Sequence, residues 1–257
     1  MAKKMTGPAS ARQAKIEAAR KNDNGAGVSK IIVAAVVVVV AIIAVVGGVV
    51  IAQEKKQDRV GTSTAVPAAA GAMGEGFVAN KDVTLAAGAP TLDVYEDFQC
   101  PACAQFERIM GSTVTDLAAQ GKIKLVYHLK TIIDGNTGTT HSLTMGNAAM
   151  CAADAGTFQP FHDDVYANMP AQEGEGWTQA QTKAFAEKAG ISGSALDTWT
   201  TCVNDKKYTK YVQSTEDASN RAGITGTPTV LLAGAKVDFN QVSDAAALTA
   251  AVEAATK

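Results

Sequence analysis

Cys100-Pro101-Ala102-Cys103 places two sulfurs three residues apart, a spacing suited to reversible disulfide chemistry. A strand-like run over 92–98 precedes the pair and a helix-like run over 104–119 follows it, so the cysteines are expected where a strand ends and a helix opens. On a first helical turn the two Cβ atoms come within disulfide reach, and Pro101 falls near N1, where a missing N–H costs nothing. The first sulfur then faces unpaired backbone N–H groups and the positive end of the helix dipole, which favour thiolate over thiol. Cys100 is therefore the expected nucleophile. Cys103, one turn deeper and shielded, is expected to resolve the mixed disulfide that Cys100 forms with a substrate. Half a zinc site has the same spacing, but zinc needs two further ligands. Cys151 and Cys202 stand singly and the three histidines form no close pair, so no metal is expected.

A second signal lies far downstream. Gly226-Thr227-Pro228-Thr229 directly precedes the apolar run Val230-Leu231-Leu232. A proline at a strand entry is either a simple edge-strand residue or the site of a cis bond, which would turn the Thr227 backbone outward. In chain order the signals read strand, C-P-x-C, helix, strand, long helical stretch, Thr-Pro, strand, helix. This order, with Tyr95 to Cys103 and Thr227-Pro228-Thr229 as its specific parts, resembles the thioredoxin superfamily. The long helical stretch before Thr-Pro resembles the DsbA-like thiol-disulfide oxidoreductases, in particular the membrane-anchored forms of Gram-positive, actinobacterial type, over roughly residues 77–257. The implied fold is α/β: a thioredoxin fold with an inserted helical lid.

The resemblance also implies roles. Pro228 would belong to the catalytic set and Thr227 would bind substrate through its backbone. Exported proteins with reduced cysteines would be the substrates, and a DsbB- or VKOR-like membrane reoxidase the partner. Cys151 and Cys202 both fall in the helical insertion, and related anchored enzymes carry a second bridge there. An even cysteine count with one C-x-x-C leaves this pair as a structural disulfide, with a relay pair exchanging electrons with Cys100 and Cys103 as the competing reading. Activity as a reductase, an isomerase or a thiol-dependent peroxidase, and a metal-binding or chaperone role on the lid surface, are the alternatives. No cofactor is implied.

The composition is uneven along the chain. Residues 1–30 carry seven Lys/Arg against Glu17 and Asp23, or +5, which leaves −7 for the rest of a chain whose total is −2. The basic excess is local, which argues against a nucleic-acid partner. Residues 31–52 form an uncharged run of 22, about 33 Å as a helix at ~1.5 Å per residue, long enough for a bilayer core of ~30 Å. A transmembrane helix is expected there, with 1–30 in the cytoplasm by the positive-inside rule and everything after it outside. A cleaved signal peptide ending near Val50-Ile51-Ala52 is the rival, although the apolar run exceeds the usual length. Residues 53–76, rich in Ala, Gly, Ser and Thr without apolar periodicity, read as a flexible linker.

The folded part is expected from 77 to 257. Residues 77–79 and 83–85 read as a first strand or hairpin, and 122–130 as a later strand. In the strand before the cysteines, Leu92, Val94, Glu96 and Phe98 share a face by the period-2 rule. Either that strand ends before Glu96 and leaves its carboxylate solvated, or Glu96 is a partly buried acid that takes or returns a proton as Cys103 ionises. Related enzymes often carry an acid six residues before the first cysteine, where this chain has Val94. His128 and Lys130 read as strand-end residues, and His141 and His162 as polar helix positions without a role.

Helical signals run from about 140 to 223. Thr178-Gln179-Ala180-Gln181 forms a capping box, Gly190 closes that helix, and another starts near Ser194. Phe158, Phe161, Tyr166, Met169 and Trp177 are expected to form the small core of the lid. An alanine-rich helix over 243–254 should pack on the sheet.

Overall fold

The computed structural model describes residues 61–256, together with helical positions 37–39, 41–42, 44–46 and 48. The chain divides into two units, Met1–Lys56 and Gln57–Lys257. In the first, the described valines and Ile42 are helical and exposed. Most of the expected span 31–52, all of 1–30 and the start of the expected linker lie outside the described residues. Among the described residues no helix is long and apolar enough to cross a membrane.

The second unit is built on a five-stranded sheet in the order β1-β3-β2-β4-β5, with β1 at Phe77–Val78, β2 at Thr91–Glu96, β3 at Lys124–Leu129, β4 at Thr229–Leu232 and β5 at Ala235–Lys236. β2 and β3 are parallel, Thr91 opposite Lys124 and Glu96 opposite Leu129. Such a pair needs a crossover, supplied by α1 (Pro101–Phe106), a π-helical turn (Glu107–Gly111) and α2 (Ser112–Ala119). On the other side of β2, β4 runs antiparallel, Tyr95 opposite Thr229. These two pairings fix the site, because β2 feeds the Cys100 turn and β4 starts directly after Pro228.

The helix expected as one run over 104–119 thus carries a π-turn, where Glu107 folds back over Gly111. A Cβ on Gly111 would lie 2.6 Å from Glu107 Oε2, so a larger residue there would make that carboxylate shift. Residues 83–85 do not form a strand. They belong to a loop laid over Gly121, whose carbonyl accepts the Ala86 N–H at 2.8 Å. Gly121 has φ +69°, and a Cβ there would sit 2.3 Å from the Thr84 carbonyl oxygen.

The described part of the expected linker is also attached. Pro67 is buried, Ala70 bridges Phe77, and Val66 and Ala69 pack on the core. Ser214 Oγ accepts the Gly74 N–H at 2.8 Å. Small residues without periodicity gave no sign of this, because the segment is held by single contacts and not by an element of its own.

Six helices stand between β3 and β4: α3 (Ile132–Thr137), α4 (His141–Asp154), α5 (Phe158–Ala167), α6 (Gln179–Lys188), α7 (Gly193–Asn204) and α8 (Thr209–Arg221). Thr178 and Gln181 form the capping box that opens α6, and Gly190 follows its end at φ +96°. α3 was not legible, since Ile-Ile-Asp-Gly-Asn-Thr has poor helix propensity. It is held instead by Asp134, which accepts the N–H groups of Ser142 and Leu143 at 3.0 and 2.9 Å.

A disulfide joins Cys151 of α4 to Cys202 of α7, and Trp199 Nε1 donates to the Ala148 carbonyl beside it. The insertion has no separate core. Phe161 does pack with Phe185 and Trp199 inside it. Phe158 instead meets Phe77 and Tyr127 of the sheet, Tyr166 meets Phe98, and Met169 and Trp177 are only partly buried. α8 is tied to β3, with Thr215 Oγ1 donating to Leu129 O at 2.7 Å. The last helix, α9 (Ala245–Ala255), opens at Asp244, whose carboxylate accepts the Ala247 N–H, and buries Leu248 and Val252.

Candidate active site

The turn between β2 and α1 is built by Asp97. One carboxylate oxygen accepts the Gln99 N–H at 2.9 Å and the Ser142 hydroxyl at 2.6 Å; the other accepts the Ile133 N–H at 3.0 Å. Its backbone carbonyl takes the Cys100 N–H. Gln99 Nε2 donates to Asp134 and Ser142. Burial pushes Asp97 up to about 7, against the pull of these hydrogen bonds. Asp97 was not among the residues expected at the site. Its signal was an aspartate two residues before a backbone N–H that had to turn, the Asx-turn pattern.

That turn leaves Cys100 as N-cap with extended φ/ψ and Pro101 at the first helical position. Cys100 keeps 7% exposure and Cys103 none. Cys100 Sγ lies 3.5 Å from the Thr227 carbonyl, and the Thr227–Pro228 peptide is cis. The Cys100 thiol is brought down to about 6, first by a hydrogen bond from Cys103, against the opposing effect of burial, and further by Thr227 and by the backbone N–H groups of Cys103 and Ala102. Cys103 moves the other way, held well above the usual thiol range by burial, by Cys100 and by the nearby Glu96. The two sulfurs are thus split: Cys100, which keeps a small exposure, is biased toward thiolate, and the fully buried Cys103 toward thiol. Beside them an apolar groove of about 320 Å3 is lined by Ala102, Phe106, Ile109, Pro228, Phe239 and Val242.

Glu96 is the last residue of β2, and it is not solvated; its side chain is wholly buried. Oε1 pairs with His162 Nε2 of α5 at 2.7 Å, while Oε2 is buried without a partner. His162, expected to have no role, is itself fully buried, with Nδ1 3.0 Å from Asp163 Oδ1. Burial alone would lower its pKa, yet the Glu96 and Asp163 carboxylates hold it well above the ordinary range. Glu107, on the π-turn, joins this cluster and is pushed up to about 8, chiefly by burial. Among the described residues Glu96, Glu107 and His162 bring three potential metal-ligand atoms within 4.8 Å of one another. His162 Nε2 is engaged by Glu96, however, so the arrangement is that of an ion pair with a neighbouring acid.

The other candidates stand elsewhere. His128 bonds Asp93 at 2.9 Å and stacks on Tyr95. Lys130 is 1% exposed and joins the end of β3 to α8 and the loop after it, through Asn220, the Ile224 carbonyl and Glu216 at 3.3 Å. His141 opens α4.

A cysteine pair opening a helix after a central strand, opposite a cis-proline loop, can be compared directly with known proteins. The thioredoxin family model matches residues 86–254. The chain belongs to the thioredoxin family. No curated protein matches it. Among solved structures it is similar to the reduced disulfide bond oxidoreductase DsbG of Mycobacterium tuberculosis, at 28% identity over 66% of this chain and 83% of that one, with a TM-score of 0.56. The oxidised DsbA of M. tuberculosis is 28% identical over 68% and 89%, TM-score 0.56. MdbA, a thiol-disulfide oxidoreductase from Actinomyces oris, is 26% identical over 66% and 83%, TM-score 0.57. Within the thioredoxin family this chain is a DsbA-like thiol-disulfide oxidoreductase, with the helical insertion between β3 and β4.

Proposed function

We propose that the chain works as an oxidase that forms disulfide bonds in exported proteins. What supports this reading is the asymmetry of the pair: Cys100 caps the start of α1 with its thiol brought down to about 6, beside a fully buried Cys103 held well above the usual thiol range. Stabilising the thiolate stabilises the reduced enzyme, and that makes the Cys100–Cys103 disulfide the better oxidant.

In this reading a substrate thiolate attacks the Cys100 sulfur, the Cys100–Cys103 bond breaks, and Cys103 leaves and takes up a proton. A second substrate thiol then attacks the mixed disulfide and releases Cys100 as thiolate. The substrate has lost two electrons and the enzyme holds them as its dithiol. Glu96, buried near Cys103 with one free oxygen, is the proton partner of that thiol. The Thr227 backbone beside Pro228 would pair with the substrate chain as a short strand, and the groove next to Ala102 would take its apolar side chains. A DsbB- or VKOR-like membrane protein would accept the electrons. The apolar run over 31–52 would anchor the chain in the membrane as a single-pass helix, the basic segment inside and the catalytic unit outside.

The test uses the oxidised full chain and a reduced, unfolded protein with two thiols. Stoichiometric oxidation of that protein with loss of the enzyme's own disulfide is expected. Recovery of both in their starting redox states would overturn the reading.

A further inference from the structure

We infer that His162, brought to the redox site by the helical insertion, is a positioning residue: it holds the Glu96 carboxylate near Cys103 as a charged base able to take the Cys103 proton when the disulfide closes. The inference rests on the reading of Glu96 as the proton partner of Cys103.

A fully buried histidine must find partners for both ring nitrogens. His162 finds carboxylates on both, Glu96 at 2.7 Å on Nε2 and Asp163 at 3.0 Å on Nδ1, and two acceptor partners suit the doubly protonated ring. The ring cannot swing away, because Tyr127, Tyr166, Phe158 and Phe98 surround it with centroids 4.7 to 5.7 Å distant. The ionisable groups around the pair are Glu107 from the π-turn, Asp163 from α5, Tyr127 from β3, Tyr166 from α5, and Cys103 from α1. None of these is a cation. Without His162, Glu96 would be a carboxylate in an apolar site beside further acids, and such a group takes up a proton instead of staying charged. A Glu96 that already carries a proton cannot serve as the base for Cys103.

The step at issue is the closing one. Cys103 gives its proton to Glu96 as its sulfur attacks Cys100 of a mixed disulfide; the Cys100–Cys103 bond forms and the substrate leaves as thiolate. The bond between Cys100 and the substrate sulfur breaks, and the enzyme is left oxidised.

The test follows that closure in the full-length chain. Reduced enzyme is mixed with oxidised glutathione, and acid-quenched samples are scored by mass for the Cys100–glutathione adduct and for the closed disulfide, from pH 5 to 9. For His162→Gln we expect closure slowed at least roughly tenfold at pH 6, with recovery as pH rises. Glu96→Gln should be slow throughout and without that recovery, and the double variant should match it. Asp163, the half-exposed partner of Nδ1, also accepts from Gln159 Nε2, and Asp163→Asn should shift the profile in the same direction by less. Slow closure in Glu96→Gln with unshifted profiles in His162→Gln and Asp163→Asn would overturn the role of His162 and leave Glu96 standing. Wild-type closure in Glu96→Gln would instead sink the reading of Glu96 and this inference with it. A purely structural His162 would lower the melting temperature without moving the pH profile.

Discussion

His162 Nε2 and Glu96 Oε1 lie 2.7 Å apart with neither side chain exposed, although one belongs to the helical insertion and the other ends the central strand. The insertion therefore does more than cover the sheet: it supplies the hydrogen-bond partner of the carboxylate that ends the central strand. Asp97, bonded to Ser142 and Ile133, makes a second such connection on the other side of the cysteine turn.

These buried and partly buried groups give stability a pH dependence. Asp97 is raised from 3.8 to about 7 and Glu107 from 4.5 to about 8, both chiefly by burial. His162 is raised too, for although burial opposes its charge, Glu96 and Asp163 outweigh it. A group whose folded-state pKa is raised favours folding fully below its unfolded value, and that contribution is lost as pH rises through the folded one. Asp97 loses it between roughly 4 and 7, Glu107 between roughly 4.5 and 8, and His162 above roughly 6.5. The oxidised protein, in which no active-site thiol titrates, should thus melt at a lower temperature at pH 8 than at pH 5.5. A melting temperature that climbs across this range contradicts the assignment.

Cys103→Ala should accumulate mixed disulfides with exported proteins, because the resolving thiol is gone while Cys100 still attacks. Cys100→Ala should accumulate none. Non-reducing gels of whole cells separate the two, and identical patterns would show that the roles are misassigned.

Replacing Cys151 and Cys202 together should destabilise the unit and leave its chemistry intact. The bridge spans 51 residues, and closing such a loop contributes about 4 kcal/mol in the chain-entropy model. Denaturant melts should move by a large part of that amount, while the folded fraction still oxidises a dithiol at nearly the normal rate. Unchanged stability with lost activity would favour an electron relay through this pair.

A titration of the reduced enzyme, followed by thiolate absorbance in the ultraviolet, should show one thiol ionising near 6 and the second not below the free-thiol range. Cys100→Ser should remove the first transition. Two transitions near the free-thiol value of ~8.5 would mean that the helix start does not stabilise the thiolate.

How far the sequence reveals this arrangement depends on range. The cysteine turn, the α6 capping box and the order of strands are local patterns of period and punctuation, and they were legible. Glu96 was legible as an oddity, a carboxylate on an apolar face, but its partner lies 66 residues away and no periodicity links the two. For the same reason Phe158 and Tyr166 were placed in a lid core: spacing shows that α5 has an apolar face but not which surface that face meets. α3 and the attached residues 61–76 were missed because single hydrogen bonds and small contacts hold them, against weak local propensity.

The redox potential of the Cys100/Cys103 pair tests the oxidase role most directly. Ala102 lacks the ring N–H groups and charge that a histidine would bring next to Cys100, so thiolate stabilisation is left to Cys103, Thr227 and the backbone N–H groups. The potential should therefore fall between those of thioredoxin (~−270 mV) and DsbA (~−120 mV), and Ala102→His should raise it, each ~30 mV being about 1.4 kcal/mol for this two-electron couple. Equilibration with glutathione buffers, read by alkylation of free thiols, gives both values. A wild-type potential at or below that of thioredoxin would make the enzyme a reductase and contradict an oxidase driven by its stabilised Cys100 thiolate.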